Sequence, residues 1–586
     1  MKKLNYLLIV GAATLGLAVH SCSDSYLEQP ALGSLSDEVL ASKEGVNSLL
    51  IGAYGALDGS GNGNPWEVAP SNWIYGDIAG GDAHKGSDGG DQPAINSIAT
   101  FRTDASNGFL NNKWRADYEG VSRANSVLAV LATMPEGELT EAEATNIEGQ
   151  AKFLRAHFYF DLKKMFNMVP WIDETTTIYQ QPNDQDVWPM IEADFKFAYD
   201  NLPATQSEVG RANKWAAAAY LAKSYLYQKK YAEAKAVFDQ VITEGQTSNG
   251  LAYGLLDNYY EVFYAQWENH KESVFAIQMV SHDGTNGISN ANDGNMLNFP
   301  YNATFRCCGF FQPSQDLVNS FKTNPATGLP YLENYNANPV KNDMGVNSSD
   351  PFTPYTGTLD PRLDWTVGRR ELPYLDWGLH GGQNWVRLQS YGGPYSPKKY
   401  VYWQETQEAN ADQSSWAPGT ANNVLIIRFA DVLLMAAEAE IELDNLEKAR
   451  EYINQVRGRA ANEDGWVHTY VDNGNPLEGF TNTPAANYKI NLYPAFADKE
   501  EARKAVRFER RLELGMEGHR FFDLVRWGIA KIVLDAYFDY EGSVTSDVTG
   551  ASFTNDKNEY YPIPQAQIDI SRVDGETTLT QNPGYQ

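Results

Sequence analysis

The chain has 586 residues and carries 46 Lys and Arg against 75 Asp and Glu, a formal net charge of −29. So negative a body repels nucleic acid and anionic polysaccharides, and neither is expected as a partner. With 14 Trp, 34 Tyr and 48 Gly, the composition instead favours a surface that stacks against rings and hydrogen-bonds hydroxyl groups.

The first 22 residues have the pattern of an export signal. Two lysines precede an apolar run over 4–19, which is shorter than the about 20 residues that a membrane-spanning helix needs. Cys22 directly after such a run resembles the lipobox of bacterial lipoproteins, in which this cysteine becomes the acylated N-terminus. We predict a signal peptide over 1–21 and a lipid anchor at Cys22. An ordinary signal peptide with a chance cysteine is the alternative.

A loop rich in Gly and Asp over 58–91 begins with DGSGNGN. Asp58, Ser60 and Asn62 have the spacing of a calcium-binding EF-hand loop, with Gly63 at the turn. The twelfth position is Ala69 rather than a bidentate Glu, so the ligand set is incomplete. A turn-rich surface loop is favoured, with calcium as the alternative. No other metal and no cofactor is expected.

Apolar residues recur at helical spacing in four stretches. They predict a helix over 148–169, a helix pair formed by 212–228 and 231–242, and a second pair over 424–460. The offsets of alanine and aromatic residues in the two pairs are those of tetratricopeptide repeats. The sequence therefore predicts a mostly α-helical repeat scaffold.

Between residues 246 and 423 the helical spacing gives way to Gly, Asn, Pro and aromatics, which predicts a packed, irregular subdomain. Within it, NATFRCCGFFQ places Cys307 and Cys308 side by side. In an exported protein with Cys22 lipidated, these two have only each other for pairing, and a vicinal disulfide is predicted. Two buried thiols are the alternative. A zinc site is not expected, because one sulfur pair supplies too few ligands.

Several long motifs, in order behind the export signal, resemble the SusD/RagB family of outer-membrane nutrient-binding lipoproteins. They are KWRADYEGVSRANSVL (113–128), AKFLRAHFYFDLKKMFNMVPWI (151–172), RANKWAAAAYLAKSYLY (211–227), IIRFADVLLMAAEAE (426–440), VRFERRLELGMEGHRFFDLVRWG (506–528) and YYPIPQAQID (560–569). The resemblance implies about four tetratricopeptide-like helix pairs and a loop-rich insert. It implies one domain over 22–586, with the scaffold at 36–245 and 424–540.

The same resemblance implies capture of oligosaccharides at the cell surface, without catalysis, and their delivery to a SusC-type TonB-dependent transporter. A tetratricopeptide-type scaffold that binds a protein or peptide is the alternative. The acidic charge favours a neutral glycan. Fructan is preferred among neutral glycans, because the loops lack a long run of evenly spaced aromatics.

Sugar rings offer apolar faces and a belt of hydroxyls, which proteins bind with flat aromatic surfaces and forked polar side chains. Three loop regions carry that mixture, whereas the dense motif over 506–528 is interpreted as scaffold. The predicted carbohydrate-binding residues are Trp66, Trp73, Asp82, Cys307, Cys308, Arg369, Trp385, Arg387 and Tyr395.

Overall fold

The computed structural model describes residues 40–285, 287–302 and 304–585. The predicted signal peptide and Cys22 lie outside these residues. Helices of 12 or more residues in the described part are α1 (Lys43–Gly55), α2 (Gly108–Ala132), α3 (Glu141–Phe166), α4 (Trp188–Asn201), α5 (Lys214–Tyr227), α6 (Tyr231–Glu244), α7 (Phe429–Glu442), α8 (Leu446–Ala460), α9 (Lys499–Leu514) and α10 (Ala530–Glu541). Every helix described is too short or too polar to span a bilayer.

Shorter helices cover Pro65–Val68, Pro93–Ala99, Gln315–Ser320, Leu363–Thr366, Gln389–Gly392, Gln407–Asn410, Arg520–Arg526 and Gln565–Ile570. The strands form two-stranded antiparallel sheets. They are β1 (Ala83–Gly86) with β3 (Phe310–Pro313), β2 (Ser273–Ile277) with β8 (Val424–Arg428), β4 (Val367–Gly368) with β5 (Ser396–Pro397), β6 (Ala411–Asp412) with β7 (Gly419–Thr420), β9 (His468–Tyr470) with β10 (Phe480–Pro484), and β11 (Arg572–Val573) with β12 (Glu576–Thr577).

The scaffold is a row of helices in which each of α2 to α8 packs on the next. In the α5–α6 pair, the alanines over 216–219 and Phe238 are buried, so small side chains let the two helices approach closely. The side chain of Asn213 caps α5 by accepting a hydrogen bond from the Ala216 N–H at 2.9 Å. The predicted pair is confirmed, and so is the tetratricopeptide-like helical fold class.

Two helix boundaries differ from the prediction. Helix α3 begins at Glu141 rather than at 148, because Thr140 and Glu143 form a capping box there. The predicted pair over 424–460 loses its first five residues to strand β8, which pairs with β2. An apolar run this short has no period that separates strand from helix.

A buried network of charges joins helix α9 to the loop-rich part of the chain. The guanidinium of Arg428 forms ion pairs with Glu272 at 2.9 Å, Glu513 at 2.6 Å and Glu517 at 2.8 Å. Burial opposes ionisation of Glu513, but Arg459 and Arg428 outweigh it and hold its pKa below the usual value. The motif over 506–528 is thus scaffold, as predicted.

Candidate functional site

Strands β1 and β3 bring two of the predicted loop regions together. Their register pairs Ala83 with Pro313 and Gly86 with Phe310, so the loops over 58–91 and 302–312 share one base. His84 fastens this base to the end of α10, with ring nitrogens 3.1 Å from Glu541 Oε2 and 3.0 Å from an Asp547 carboxylate oxygen. Burial disfavours the imidazolium, but the two carboxylates outweigh it and raise the pKa of His84 to about 10.

The Sγ atoms of Cys307 and Cys308 are bonded to each other. Cys308 is buried and Cys307 is half-buried, so the disulfide presents one side to the surface. Gly309 follows with φ of +73°, and a Cβ at this position would lie 3.0 Å from the Cβ of Tyr301. Only glycine fits here without strain.

Tyr301 and Arg387 lie beside Gly309, the residue that follows the disulfide. Tyr301 is 40% exposed, and its N–H donates to the Trp385 carbonyl at 2.9 Å. The Arg387 guanidinium lies 5.5 Å from the centroid of the Tyr301 ring and forms ion pairs with Asp88 at 2.6 Å and Asp91 at 2.7 Å. Two carboxylates therefore neutralise the cation and fix its planar fork beside the ring.

Arg306, which directly precedes the disulfide, links it to the segment before Trp416. Arg306 Nη1 donates to the carbonyls of Gln413 at 3.3 Å and Ser415 at 3.4 Å. The next residue, Trp416, is 56% exposed, and its ring meets Trp66 edge to face at 6.0 Å. Trp66 is buried, so it supports Trp416 from below. We call these residues the disulfide surface: Tyr301, Arg306, Cys307, Cys308, Arg387 and Trp416.

All three predicted residues of the first loop, Trp66, Trp73 and Asp82, are buried, and the last two lie deepest. Trp73 is 1% exposed and donates from Nε1 to the Gly294 carbonyl at 3.1 Å. Asp82 is also 1% exposed and accepts a hydrogen bond from Arg511 Nε at 2.8 Å. Both side chains serve packing, and the structure removes them from contact with a ligand.

Only some of the residues predicted between Arg369 and Tyr395 lie at the surface. Arg369 is buried in a bidentate pair with Asp364, at 2.7 and 2.8 Å, and the buried Tyr395 donates to Gln315 Oε1 at 2.8 Å. These two side chains are likewise removed from ligand contact. Trp385 is half-buried and joins Arg387 at the edge of the disulfide surface.

Sequence reasoning missed Tyr301 and Trp416, the two exposed rings of the disulfide surface. Trp416 stands in SSWAP, without apolar neighbours at helical or strand spacing, and that isolation was an available signal. Tyr301 directly precedes the NATFRCCGFFQ stretch and carried no signal of its own. The two rings and the disulfide are the apolar groups of the disulfide surface, and Arg306 and Arg387 are its cations.

The proposed calcium loop is closed by its own hydrogen bonds. The Asp58 carboxylate accepts from the Ser60 N–H at 2.7 Å, and the Glu67 carboxylate accepts from the Asn64 N–H at 3.2 Å. Over the described residues, no group of three or more His, Cys, Asp or Glu is arranged to hold a metal ion. Calcium binding stays an untested alternative to the turn-rich surface loop.

Two family models match the chain. The model described as "SusD family" matches residues 271–585, and the one described as "Starch-binding associating with outer membrane" matches residues 27–226. Among curated relatives, a SusD-like protein of Bacteroides ovatus is 28% identical over 97% of this chain and 95% of its own length. SusD-like protein P25 of Formosa agariphila is 25% identical over 81% of this chain and 80% of its own length.

Solved structures share the fold. A SusD superfamily protein from Bacteroides vulgatus aligns with a TM-score of 0.67 at 21% identity, covering 92% of this chain and 98% of that one. A laminarin binding SusD-like protein aligns with a TM-score of 0.64 at 23% identity, covering 93% of this chain and 100% of that one. Surface glycan-binding protein A from Bacteroides thetaiotaomicron, in complex with laminarihexaose, aligns with a TM-score of 0.63 at 21% identity, covering 92% and 99%. Since the first family model spans more than half of the chain, the protein belongs to the SusD family.

Proposed function

We propose that the protein binds oligosaccharides at its disulfide surface and does not transform them. The observation that carries this proposal is the exposure of two rings near the Cys307–Cys308 disulfide. Tyr301 contacts the glycine that follows the disulfide, and Trp416 follows the residue to which Arg306 donates a hydrogen bond. Flat apolar areas of this kind stack against the apolar faces of sugar rings. Two structural neighbours, a laminarin binding SusD-like protein and a surface glycan-binding protein in complex with laminarihexaose, support a glycan as the ligand.

The charges of the surface favour a neutral glycan. Arg387 is paired with Asp88 and Asp91, and Arg306 donates to backbone carbonyls. The overall charge of −29 opposes the approach of an acidic polymer. Among neutral glycans we favour fructan, because the exposed rings do not form the evenly spaced row that a stiff, extended chain would need.

We place this activity at the cell surface. Acylation of Cys22 would anchor the chain in the outer membrane, and the helical scaffold would seat on a SusC-type TonB-dependent transporter that imports the captured oligosaccharide. The family model that mentions association with the outer membrane supports this location. Replacement of Cys22 by Ala should release the protein from the membrane fraction, and retention there would contradict the anchor.

Glycan binding by the purified chain without residues 1–22 tests the function, since every described residue is kept. Affinity gels and calorimetry would cover levan, inulin, laminarin, amylopectin, xylan, mannan and pectin. Binding of one neutral glycan supports the proposal, and absence of binding across the panel would contradict it. The double variant C307S/C308S should weaken binding, and so should reductant. A variant that binds as wild type would remove the disulfide from the ligand contacts.

A further inference from the structure

A second concave surface lies beside helix α2. It is a groove of about 520 Å³, formed by one face of α2, the segment 170–181 and residues 567–579 near the C-terminus. This volume lies within the range of about 300–1,000 Å³ found for ligand pockets. None of the nine carbohydrate-binding residues predicted from the sequence lines it.

The groove offers uncharged hydrogen-bonding groups beside an exposed ring. Two of its acidic side chains are paired, Glu119 with Arg123 at 2.9 Å and Glu174 with Arg155. The third, Asp173, accepts hydrogen bonds from the hydroxyls of Thr175 and Thr176 at 2.8 and 3.0 Å. Arg115 is the cation among the lining residues. The Tyr179 ring is 71% exposed. Amide and hydroxyl groups line the groove around it, among them those of Asn62, Ser122, Thr176, Gln180, Gln181 and Gln567. A flat ring among amides and hydroxyls fits a neutral sugar better than it fits a charged ligand.

One short segment of the chain links the groove to the disulfide surface. Asn62 lines the groove, and Trp66, which supports Trp416, follows four residues later. A chain of this length spans at most about 14 Å. The loop is held to α2 by a hydrogen bond of 2.5 Å from Asn112 to Glu67. Asn62 at the edge of the groove and Trp66 beneath Trp416 therefore belong to one short segment that is fixed to α2.

We infer that the groove beside α2 extends the disulfide surface, so that the preferred ligand is a long neutral glycan that occupies both. This inference rests on the proposed function and names its substrate class more narrowly. The disulfide surface binds one stretch of the chain, and the Tyr179 ring stacks on a sugar further along. The second contact is then intramolecular, and it raises the affinity for long chains without changing the affinity for short ones.

Calorimetry with matched short and long ligands tests this. The probes are the trisaccharides and nonasaccharides of levan, inulin and laminarin. The variants are Tyr179→Ala in the groove, Trp416→Ala at the disulfide surface, and Tyr331→Ala as a control. The Tyr331 ring is 37% exposed and belongs to neither area. Circular dichroism would verify that each variant is folded.

We expect the wild type to bind the nonasaccharide at least about fivefold more tightly than the trisaccharide, as one added stacking contact provides. Y179A should lose that gain and keep its trisaccharide affinity, W416A should weaken both, and Y331A should match wild type. If Y179A binds the nonasaccharide as tightly as wild type does, the inference about the groove is wrong, but the proposed function is not affected. Equal weakening of both lengths by Y179A would overturn it too, because the groove would then be a separate site. Absence of binding by the wild type would overturn the proposed function together with it.

Discussion

Replacement of Trp416 by Ala should cost most of one stacking contact. The indole is 56% exposed, which leaves roughly 140 Å² of the ~250 Å² that a tryptophan offers. One face, roughly half of that area, is within reach of a sugar, and its burial at ~25 cal/mol per Å² stabilises the complex by about 1.8 kcal/mol. The dissociation constant for the bound glycan should therefore rise about twentyfold.

Calorimetry with the glycan that binds the wild type measures this change, with Tyr331→Ala as the exposed-ring control. W416A also loses its edge-to-face contact with Trp66, worth about 1 kcal/mol, so the fold should persist and circular dichroism should be unchanged. Trp416→Phe should recover part of the affinity because it keeps a flat ring. A W416A constant within about threefold of wild type, a difference of about 0.7 kcal/mol, would refute the assignment of this indole to the ligand contacts.

Three further predictions concern stability. Arg428→Gln leaves three buried carboxylates without their common partner and should lower the unfolding free energy by about 3–5 kcal/mol. Arg450→Gln breaks an exposed ion pair and should change the unfolding free energy by less than about 1 kcal/mol. Equal denaturation midpoints for the two variants would contradict this prediction. Burial opposes ionisation of Asp523, but neighbouring arginines outweigh it and lower its pKa to about 2. The stability that Asp523 contributes is thus present above its usual pKa of 3.8 and lost as pH falls towards 2. In acid titrations, the difference in unfolding free energy between wild type and Asp523→Asn should shrink by about 2 kcal/mol. A difference that stays constant with pH would argue against this prediction. Gly518 has a φ of +79°, and a Cβ added there would lie 2.0 Å from the Ser71 carbonyl oxygen. Gly518→Ala should therefore prevent stable folding. A melting temperature close to that of wild type would be inconsistent with this packing.

The scaffold was predictable because its signals are local. In α5 and α6, alanine and aromatic residues recur at intervals of about one helical turn. The predicted bounds of both helices fall within two residues of those observed. The start of α3 was missed because Thr140 and Glu143 act through a cap rather than through apolar spacing. Strand β8 was missed because its partner, β2, lies far away in the sequence.

The site was harder to predict because burial in the loops depends on distant partners. Trp73 and Asp82 lie in a Gly-rich segment whose composition is typical of a surface loop. Trp73 donates a hydrogen bond to Gly294, and Asp82 accepts one from Arg511, and both partners are more than 200 residues away in the sequence. No local pattern shows such contacts. Conversely, the isolation of Trp416 in SSWAP was visible in the sequence. Only the packed structure shows that the ring is exposed and that Arg306 donates a hydrogen bond to the residue before it.

The most direct test of the central claim is a crystal structure of the protein with the oligosaccharide that binds most tightly. We predict a sugar ring stacked against the Cys307–Cys308 disulfide, with further units in contact with Tyr301 and Trp416. Ligand density elsewhere on the molecule, with the disulfide surface left to solvent, would contradict this account of how the protein binds glycan.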